Sequence, residues 1–532
     1  MKYSAINIGP IISTLGMARK PRELWAASYM FSYLARCIYK EIETKNIKII
    51  SPEKPAKENN KVGIYPDRIF IEGAPQITTI IEDARNEFCT NTRLSKNCFE
   101  QYFNVMTVTD NAVSESEAIR KLNQKLDVLE LCNYAADKTA ANDIRRLITK
   151  TYNSPLFKIE TGDKDRFPFD INTLAEIATA RLRGINGNKW DSIKSAAREK
   201  ERKDEKNRAE KNESMQTINE IDKSIDLDEN DFYKALAKAE EYKGKIKSHH
   251  KYFCVVQADG DNVGKTVSHP DLQEGQVRKI SIALVQFGQE ASRIIENYGG
   301  LPLYAGGDDL LFIAPVIGEN GSNIFNLINK IENDAFNKVV DEVKKCGKEN
   351  KGIFFEGKKI EASLSFGISI SYYKYPLYEA LESARKLLFD TAKTIDQKKA
   401  VAWSFRKHSG GTFNAVFSLK NEDLQKAFRD LINATNDDIV VSAVAHKLRQ
   451  EEKLVNTVMD AEQSLTDDAD HPRLNALFEK VLEFQENDYF KCVKSIMPLL
   501  YKVLNEKDKF IPMLYSLLRT AKFIKGEDMR DE

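Results

Sequence analysis

Two apolar segments of this chain lead into pairs of aspartates. The segment YFCVVQADGDN ends with Asp259 and Asp261, and the segment LPLYAGGDDLLFIAPV places Asp308 and Asp309 between two apolar runs. The two glycines before Asp308 allow a tight turn, so the second segment predicts a β-hairpin with its acids at the tip. Carboxylates grouped in this way are ligands that hard cations such as Mg²⁺ prefer.

This pattern predicts chemistry on phosphates. Two divalent cations held by carboxylates about 4 Å apart can activate a 3′-hydroxyl and neutralise a triphosphate. Asp259, Asp308 and Asp309 are the expected metal ligands, and two acid-ended strands at this separation are typical of a polymerase or cyclase palm. A Gly-Gly-Asp-Asp turn alone also occurs in ordinary loops, so the prediction depends on both segments together.

The segment ADGDNVGKT is similar to a phosphate-binding P-loop but does not fit it. That motif needs four residues between its glycines, and only three separate Gly260 from Gly264. Aspartates inside the loop would also repel phosphate. In the palm interpretation the Gly260 carbonyl assists Asp259 in binding metal, and Lys265 approaches phosphate.

Further residues complete the predicted nucleotide site. Lys393 lies on the last predicted palm helix and is a candidate contact for the γ-phosphate, although lysines on helix faces are more often solvated. Ser363 and Ser365 are interpreted as small residues on the strand under the nucleotide. The residues predicted to bind cofactor or nucleotide are Gly260, Asp261, Asn262, Lys265, Gly306, Gly307 and Lys393.

The order of predicted elements repeats within the chain. The first hundred or so residues read strand, helix, strand, strand, helix, strand, which is the ferredoxin-like pattern. Residues 250–408 repeat this order, and only the second copy carries acids at its strand ends. The predicted fold class is α+β, with two ferredoxin-like palms and two helical domains. The predicted domains are a degenerate palm (1–112), a helical domain (113–250), a catalytic palm (251–410) and a helical bundle (411–532).

Composition limits the class of protein. Lys+Arg and Asp+Glu both number 80, so no overall basic field favours nucleic acid, and RNA contacts would need local patches. The charged stretch 195–214 is interpreted as a solvated helix or linker, with an RNA-binding surface as the alternative. The seven cysteines include no CxxC pair, which favours a reducing cytoplasm. No apolar run is long enough for a membrane span, and the N-terminus does not fit a signal peptide.

Four motifs resemble one known family. They are INIGPIISTLGMARKPRELWAASYMFSYL, DGDNVGK, AGGDDLLFIAP, and ALESARKLLFDTAK followed by WSFRKHSGG, and they spread over residues 5–411. Together they are similar to the large palm subunit of type III CRISPR–Cas effector complexes, specifically the Cmr (type III-B) branch.

The resemblance implies an activity. It implies an antiviral, RNA-guided complex in which ATP is converted to an adenine-based second messenger when guide CRISPR RNA pairs with target RNA. By motif, Asp308 and Asp309 are the catalytic acids and Asp259 is the partner metal ligand. The implied cofactors are two Mg²⁺ or Mn²⁺ ions. The implied partners are the two RNAs and the other type III-B subunits, and the implied location is the cytoplasm, without a membrane.

The chain departs from many family members in two ways. It begins directly at the first palm without a histidine–aspartate nuclease domain, so DNA cleavage is not expected, and a cysteine-rich zinc element is not evident. The resemblance implies that some members without the nuclease domain join AMP to S-adenosylmethionine instead of making cyclic oligoadenylate, and the sequence does not select between the two products. Asp67, near a strand end of the first palm, is a candidate contact for the acceptor.

Two other functions fit parts of the sequence. A scaffold subunit with an idle palm explains the doubled palm and the helical tail, but close carboxylates have no use in a scaffold and repel one another without metal. A diguanylate-cyclase-like enzyme shares the palm but leaves the second palm and the helical domains unexplained.

Overall fold

The computed structural model describes residues 1–526 apart from thirteen short or medium segments. The segments and terminus that it does not describe are 56–61, 74–75, 132–135, 152–153, 158–170, 172, 212–226, 348–351, 396–397, 435–437, 464–470, 482–486, 505 and 527–532. The end of the charged stretch, at 212–214, therefore lies outside the described residues.

The strands of the described residues form two main sheets and one small hairpin. They are β1 (Lys2–Gly9), β2 (Ile49–Ser51), β3 (Arg68–Glu72), β4 (Asn104–Asn111), β5 (Tyr252–Asp261), β6 (Leu301–Gly306), β7 (Asp309–Pro315), β8 (Phe354–Phe355), β9 (Lys358–Lys359), β10 (Ser363–Tyr372), β11 (Ala400–Arg406) and β12 (Thr412–Ser418).

α-Helices surround the sheets, together with short 3₁₀ and π-helical turns. They are α1 (Ile11–Leu15), α2 (Pro21–Thr44), α3 (Ile77–Thr92), α4 (Lys96–Tyr102), α5 (Glu115–Glu130), α6 (Lys138–Thr149), α7 (Leu174–Ala178), α8 (Ala180–Ile185), α9 (Gly187–Lys211), α10 (Glu229–Lys238), α11 (Val263–Val267), α12 (Gln276–Tyr298), α13 (Ile324–Lys330), α14 (Asn337–Lys344), α15 (Leu377–Lys386), α16 (Glu422–Ala434), α17 (Asp438–Gln450), α18 (Glu452–Gln463), α19 (Pro472–Ala476), α20 (Asp488–Val503) and α21 (Phe510–Lys525).

The first sheet has the predicted ferredoxin-like order. Its antiparallel strands run β2-β3-β1-β4. Side chains of β1 alternate between two buried clusters, so that Ile6 and Ile8 pack with the α2 side of the sheet. Tyr3 on the other face shares a cluster with Leu122 and Leu126 of α5. The first palm therefore uses α5, which the sequence placed in the separate helical domain.

The second sheet repeats this order and extends it. Its strands run β12-β11-β10-β5-β7-β6, and the four strands from β10 to β6 follow the same order as β4-β1-β3-β2. β11 adds parallel to β10, and β12 adds antiparallel to β11. The duplicated α+β topology predicted from the sequence is confirmed. β12 was not predicted, and the boundary placed after residue 410 falls between two strands of one sheet.

The two palms meet at the edge of the second sheet. Gly63, from the first palm, forms a parallel bridge with Tyr304 of β6. The Ala305 amide donates to the Gly63 carbonyl at 2.8 Å. The Ser28 hydroxyl of α2 donates to the Leu303 carbonyl at 2.9 Å. Backbone hydrogen bonds therefore fix the first palm beside the strand that leads into the Gly-Gly-Asp-Asp turn.

The last helix packs on the far strands of the second sheet. The Phe523 ring of α21 stacks on Phe405 with centroids 4.0 Å apart. The Trp403 indole donates to the Thr520 hydroxyl at 3.2 Å. No helix among the described residues is long and apolar enough to cross a membrane.

Candidate functional site

The Gly-Gly-Asp-Asp segment forms the predicted hairpin turn. β6 and β7 pair antiparallel up to Gly306 opposite Asp309, which leaves Gly307 and Asp308 at the turn. Gly307 has a φ of +66°, a left-handed conformation that glycine adopts without steric cost. The hairpin therefore holds both carboxylates at one end of the sheet.

The acids of β5 reach the same end of the sheet. β5 pairs with β7 as far as Ala258 opposite Leu310, so the residues that follow Ala258 lie beside the turn. A Cβ atom placed on Gly260 would lie 2.5 Å from Oδ2 of Asp308, which shows how closely the Asp308 side chain covers this glycine. The two acidic segments, fifty residues apart in sequence, converge as predicted.

Asp261 is held inside the sheet rather than presented at its surface. It is fully buried, and its Oδ2 atom accepts hydrogen bonds from the hydroxyls of Ser363 and Ser365, both at 2.8 Å. The backbone N–H of Lys399 donates to the same oxygen at 3.0 Å. The two serines are thus not simply small residues under a nucleotide, and that interpretation is corrected. Asp261, predicted to contact nucleotide, instead anchors the end of β5 to β10.

Lys393 lies within the acidic group. Helix α15 continues through a π-helical turn, Leu387–Thr391, into a 3₁₀ turn that carries Lys393. Its ammonium group forms an ion pair with Asp259, donates to the Gly260 carbonyl at 3.1 Å and lies 3.9 Å from Oδ1 of Asp261. Burial, with a smaller effect of Lys398, lowers the pKa of Lys393 to about 8.

A second ion pair supports this end of the sheet. Glu332, only 5% exposed, accepts from the Leu364 amide at 3.1 Å, and its other carboxylate oxygen lies 3.1 Å from Nζ of Lys399. The pair thereby braces Lys399, whose backbone binds Asp261. Sequence reasoning missed Glu332, because it lies on a π-helical turn, Ile331–Ala335, with no motif around it.

The two acids of the turn are costly to ionise. Burial and the charge of Asp261 raise the pKa of Asp308. Burial and the charges of Asp308 and Asp67 raise the pKa of Asp309. Both side chains keep a partly solvent-accessible surface, although protein atoms surround them densely. They therefore form a negative group that a cation would stabilise.

Asp67 of the first palm faces this group. Its charge acts on Asp309 and also on the phenol of Tyr304, and burial raises its own pKa. Tyr304 belongs to β6, the strand that Gly63 of the first palm contacts. The contact between the palms therefore brings a fifth carboxylate, beside Asp259, Asp261, Asp308 and Asp309, close to the turn.

The carboxylate oxygens at this site are suitable ligands for a divalent cation, but the side chains are not arranged around a common metal position. Among the described residues, no group of three or more His, Cys, Asp or Glu side chains is positioned to hold a metal ion. Asp259 is bound to Lys393 instead. Oδ1 of Asp261, however, is buried and has no hydrogen-bond partner among the described residues. A buried carboxylate oxygen without a hydrogen-bond partner is a type of ligand that Mg²⁺ and Mn²⁺ bind.

Two family models match separate parts of the chain. Residues 252–402 match the second palm domain of Cas10/Cmr2, and residues 3–72 match the N-terminal region of the CRISPR-associated protein Cmr2. Two separate regions of the chain are thus similar to the Cas10/Cmr2 family. The resemblance to the Cmr branch, based on four motifs, is confirmed.

A relative supports this assignment over part of its length. The CRISPR system Cmr subunit Cmr2 of Pyrococcus furiosus is 32% identical over 188 residues, a match that covers 31% of this chain and 19% of the relative. The match thus spans about a fifth of the length of that Cas10/Cmr2 protein.

Solved structures share the fold over nearly the whole chain. A type III-B Cmr-beta structure in the apo state covers 98% of this chain and 82% of its own, with a TM-score of 0.54 and 10% identity. A Cmr-beta structure bound to cognate target RNA covers 98% and 83%, with a TM-score of 0.55 and 12% identity. At this identity the likeness concerns the fold alone.

Proposed function

We propose that this chain is a metal-dependent nucleotidyltransferase that uses ATP to make an adenine-based second messenger. The observation that carries the proposal is the convergence of Asp308 on Gly260, which brings the acids of β5 and of the Gly-Gly-Asp-Asp turn together. The family match of residues 252–402 to a palm domain supports it. Phosphodiester synthesis is the chemistry that such a group of acids serves in a palm.

Each residue has a part in this proposal. Asp259, Asp308 and Asp309 would hold two Mg²⁺ or Mn²⁺ ions, which supply charge neutralisation for the hydroxyl and the triphosphate. Lys393 holds Asp259 in the described arrangement. Since its ammonium group also reaches the Gly260 carbonyl, it is positioned to exchange this contact for a phosphate oxygen. Asp261 orients the loop from inside the sheet.

The acceptor is proposed to bind between the palms. Asp67 and Tyr304 lie on the first-palm side of the turn, and the charge of Asp67 acts on both Tyr304 and Asp309. A carboxylate at this place suits an acceptor with a cationic or hydroxyl group. Cyclic oligoadenylate and AMP joined to S-adenosylmethionine remain the two candidate products.

The partners are also part of the proposal. We infer that the chain works with guide CRISPR RNA, target RNA and neighbouring subunits of a type III-B complex. The Cmr-beta structure bound to cognate target RNA has the same fold as this chain, which supports this inference. Pairing of the RNAs would then regulate turnover by shifting the palms relative to each other.

The decisive experiment measures pyrophosphate release from labelled ATP. The complex is incubated with Mg²⁺ or Mn²⁺, with and without target RNA, and products are identified by mass spectrometry with and without S-adenosylmethionine. The double variant Asp308→Ala/Asp309→Ala should abolish release, whereas Asp334→Ala/Asp341→Ala, at exposed acids of the same domain, should not. Product formation by the first variant would refute the proposal, and assembly without turnover by the wild type would favour the scaffold function.

A further inference from the structure

A small hairpin stands beside the acidic site. β8 and β9 pair Phe354 with Lys359 and Phe355 with Lys358. The connecting residues Glu356 and Gly357 have φ values of +50° and +76°, as in the tight two-residue turns typical of hairpins. The turn thus gives the hairpin a defined geometry.

The two phenylalanines lie on opposite faces of this hairpin, because side chains alternate along a strand. Ile353, two residues before Phe355, is 1% exposed and packs with Val277 and Ile280 of α12. Phe355 therefore extends the face that is turned toward the second palm. Its ring lies 5.2 Å from the ammonium group of Lys265 on α11. Phe354 lies on the other face.

The hairpin is connected directly to the acidic loop. The Asn262 side-chain amide, next to Asp261, donates to the Glu361 carbonyl at 3.0 Å. β10 begins at Ser363, whose hydroxyl binds Asp261. The chain therefore leaves the hairpin and reaches the floor of the acidic site within a few residues, and the face of Phe355 forms the rim of that site.

The composition of this rim suits a nucleotide. Phe354 and Phe355 are 51% and 49% exposed, although phenylalanine is usually buried. Lys265, Lys358 and Lys359 form no ion pair with a carboxylate among the described residues. An exposed aromatic ring between unpaired ammonium groups can stack on a base while the ammonium groups bind phosphate oxygens.

We propose that Phe355, with Lys265 and Lys358, forms an outer subsite that holds a nucleotide at the rim of the palm. The Phe355 ring stacks on the nucleobase, and the two ammonium groups contact phosphate oxygens of the same nucleotide. This inference rests on the proposed function and adds to it an aromatic ring that binds the nucleobase. Phe354 takes no part, since it lies on the other face.

The test compares an ATP analogue, which has a nucleobase, with tripolyphosphate, which has none. Binding of α,β-methylene-ATP, in which the bond broken by nucleotidyl transfer cannot be cleaved, and of tripolyphosphate is measured by calorimetry on the full chain with Mg²⁺. Phe355→Ala should weaken binding of the ATP analogue by about tenfold and leave tripolyphosphate binding unchanged. Phe354→Ala, an equally exposed neighbour, should change neither. Thermal unfolding of each variant confirms that it is folded.

The outcomes separate this inference from the proposed function. If the wild type binds the analogue and both phenylalanine variants bind it equally well, the outer subsite is refuted while the proposed function stands. If the wild type binds no analogue, both are refuted. Loss of affinity for a single-stranded RNA oligonucleotide in Phe355→Ala, with unchanged binding of the analogue, would also overturn the inference, because the rim would then be an RNA surface.

Discussion

Asp261 and Asp309 are carboxylates of one site in opposite environments. One oxygen of Asp261 accepts three hydrogen bonds, from two serine hydroxyls and a backbone amide. Asp309 instead faces the charges of Asp308 and Asp67, and with burial they raise its pKa. Like charges and burial oppose ionisation of a carboxylate such as Asp309. The residue that anchors the loop and the residues that would bind cations are thus distinguished by their surroundings.

Replacing Asp309 should therefore stabilise the metal-free protein. Because the pKa of Asp309 is raised in the folded state, its protonated form favours folding at low pH, and this stability is lost as the pH rises through the folded-state pKa. Asp309→Asn cannot ionise, so in EDTA its melting temperature should exceed that of the wild type by about 1–2 °C at pH 8 and by less at pH 5.

Thermal unfolding at the two pH values, with Asp334→Asn as the exposed control, measures this difference. Adding Mn²⁺ should raise the melting temperature of the wild type more than that of Asp309→Asn. A difference between the two proteins that does not change with pH would contradict the raised pKa.

At the scale of elements, the contact between β5 and the β6–β7 turn assembles the site. Gly260 has no side chain to separate the two elements, and a Cβ there would lie 2.6 Å from Cβ of Asp308 and 2.9 Å from Cγ2 of Val263. Both are shorter than van der Waals contact, so one element would have to move. The packing of β5 against the β6–β7 turn therefore requires glycine at position 260.

Gly260→Ala should displace the Asp308 carboxylate and reduce pyrophosphate release by about 100-fold, because such displacements of reacting groups carry penalties of this size. Gly264→Ala is the matched control, since nothing lies within 4 Å of a Cβ at that position. Steady-state rates of both variants, with denaturation midpoints to exclude unfolding, check this expectation. Equal rates in the two variants would show that the contact is not needed.

Much of this assembly could be predicted from the sequence, and the reasons are local. Central strands such as β5 read as continuous apolar runs, and the Gly-Gly-Asp-Asp turn follows from its residue types. β12 was missed because it is half exposed, with a mixed burial pattern at the edge of the sheet. The bonds from Ser363 and Ser365 to Asp261 depend on the register between β5 and β10, and Glu332 depends on tertiary packing.

At the scale of the whole molecule, the two palms are joined through peptide groups. The Ala305 amide and the Gly63 carbonyl are 2.8 Å apart, and a Cβ at Gly63 would lie 3.2 Å from Cβ of Ser32 and 3.3 Å from Cδ2 of Tyr304. The interface therefore has no room for a larger side chain at position 63. The distance between Asp67 and the Gly-Gly-Asp-Asp turn consequently depends on Gly63, which belongs to neither.

Gly63→Val should separate the first palm from β6. The added methyl groups clash with Ser32 and Tyr304, so we expect a loss of about 1–3 kcal/mol in stability and faster hydrogen exchange at the Ala305 amide. Gly187→Val, at a position with no atom within 4 Å of a Cβ, is the control. Exchange mass spectrometry of the peptide covering β6 measures the effect, and unchanged protection in Gly63→Val would contradict the clash.

The bridge at Gly63 has a consequence for how this protein can diverge. Hydrogen bonds between main-chain atoms do not depend on the side chains of Leu303 and Ala305, which the buried core constrains separately. Position 63 lacks that independence. A single enlarged residue at the centre of the seam would therefore alter the alignment of the two halves, even where every main-chain donor and acceptor around it is kept.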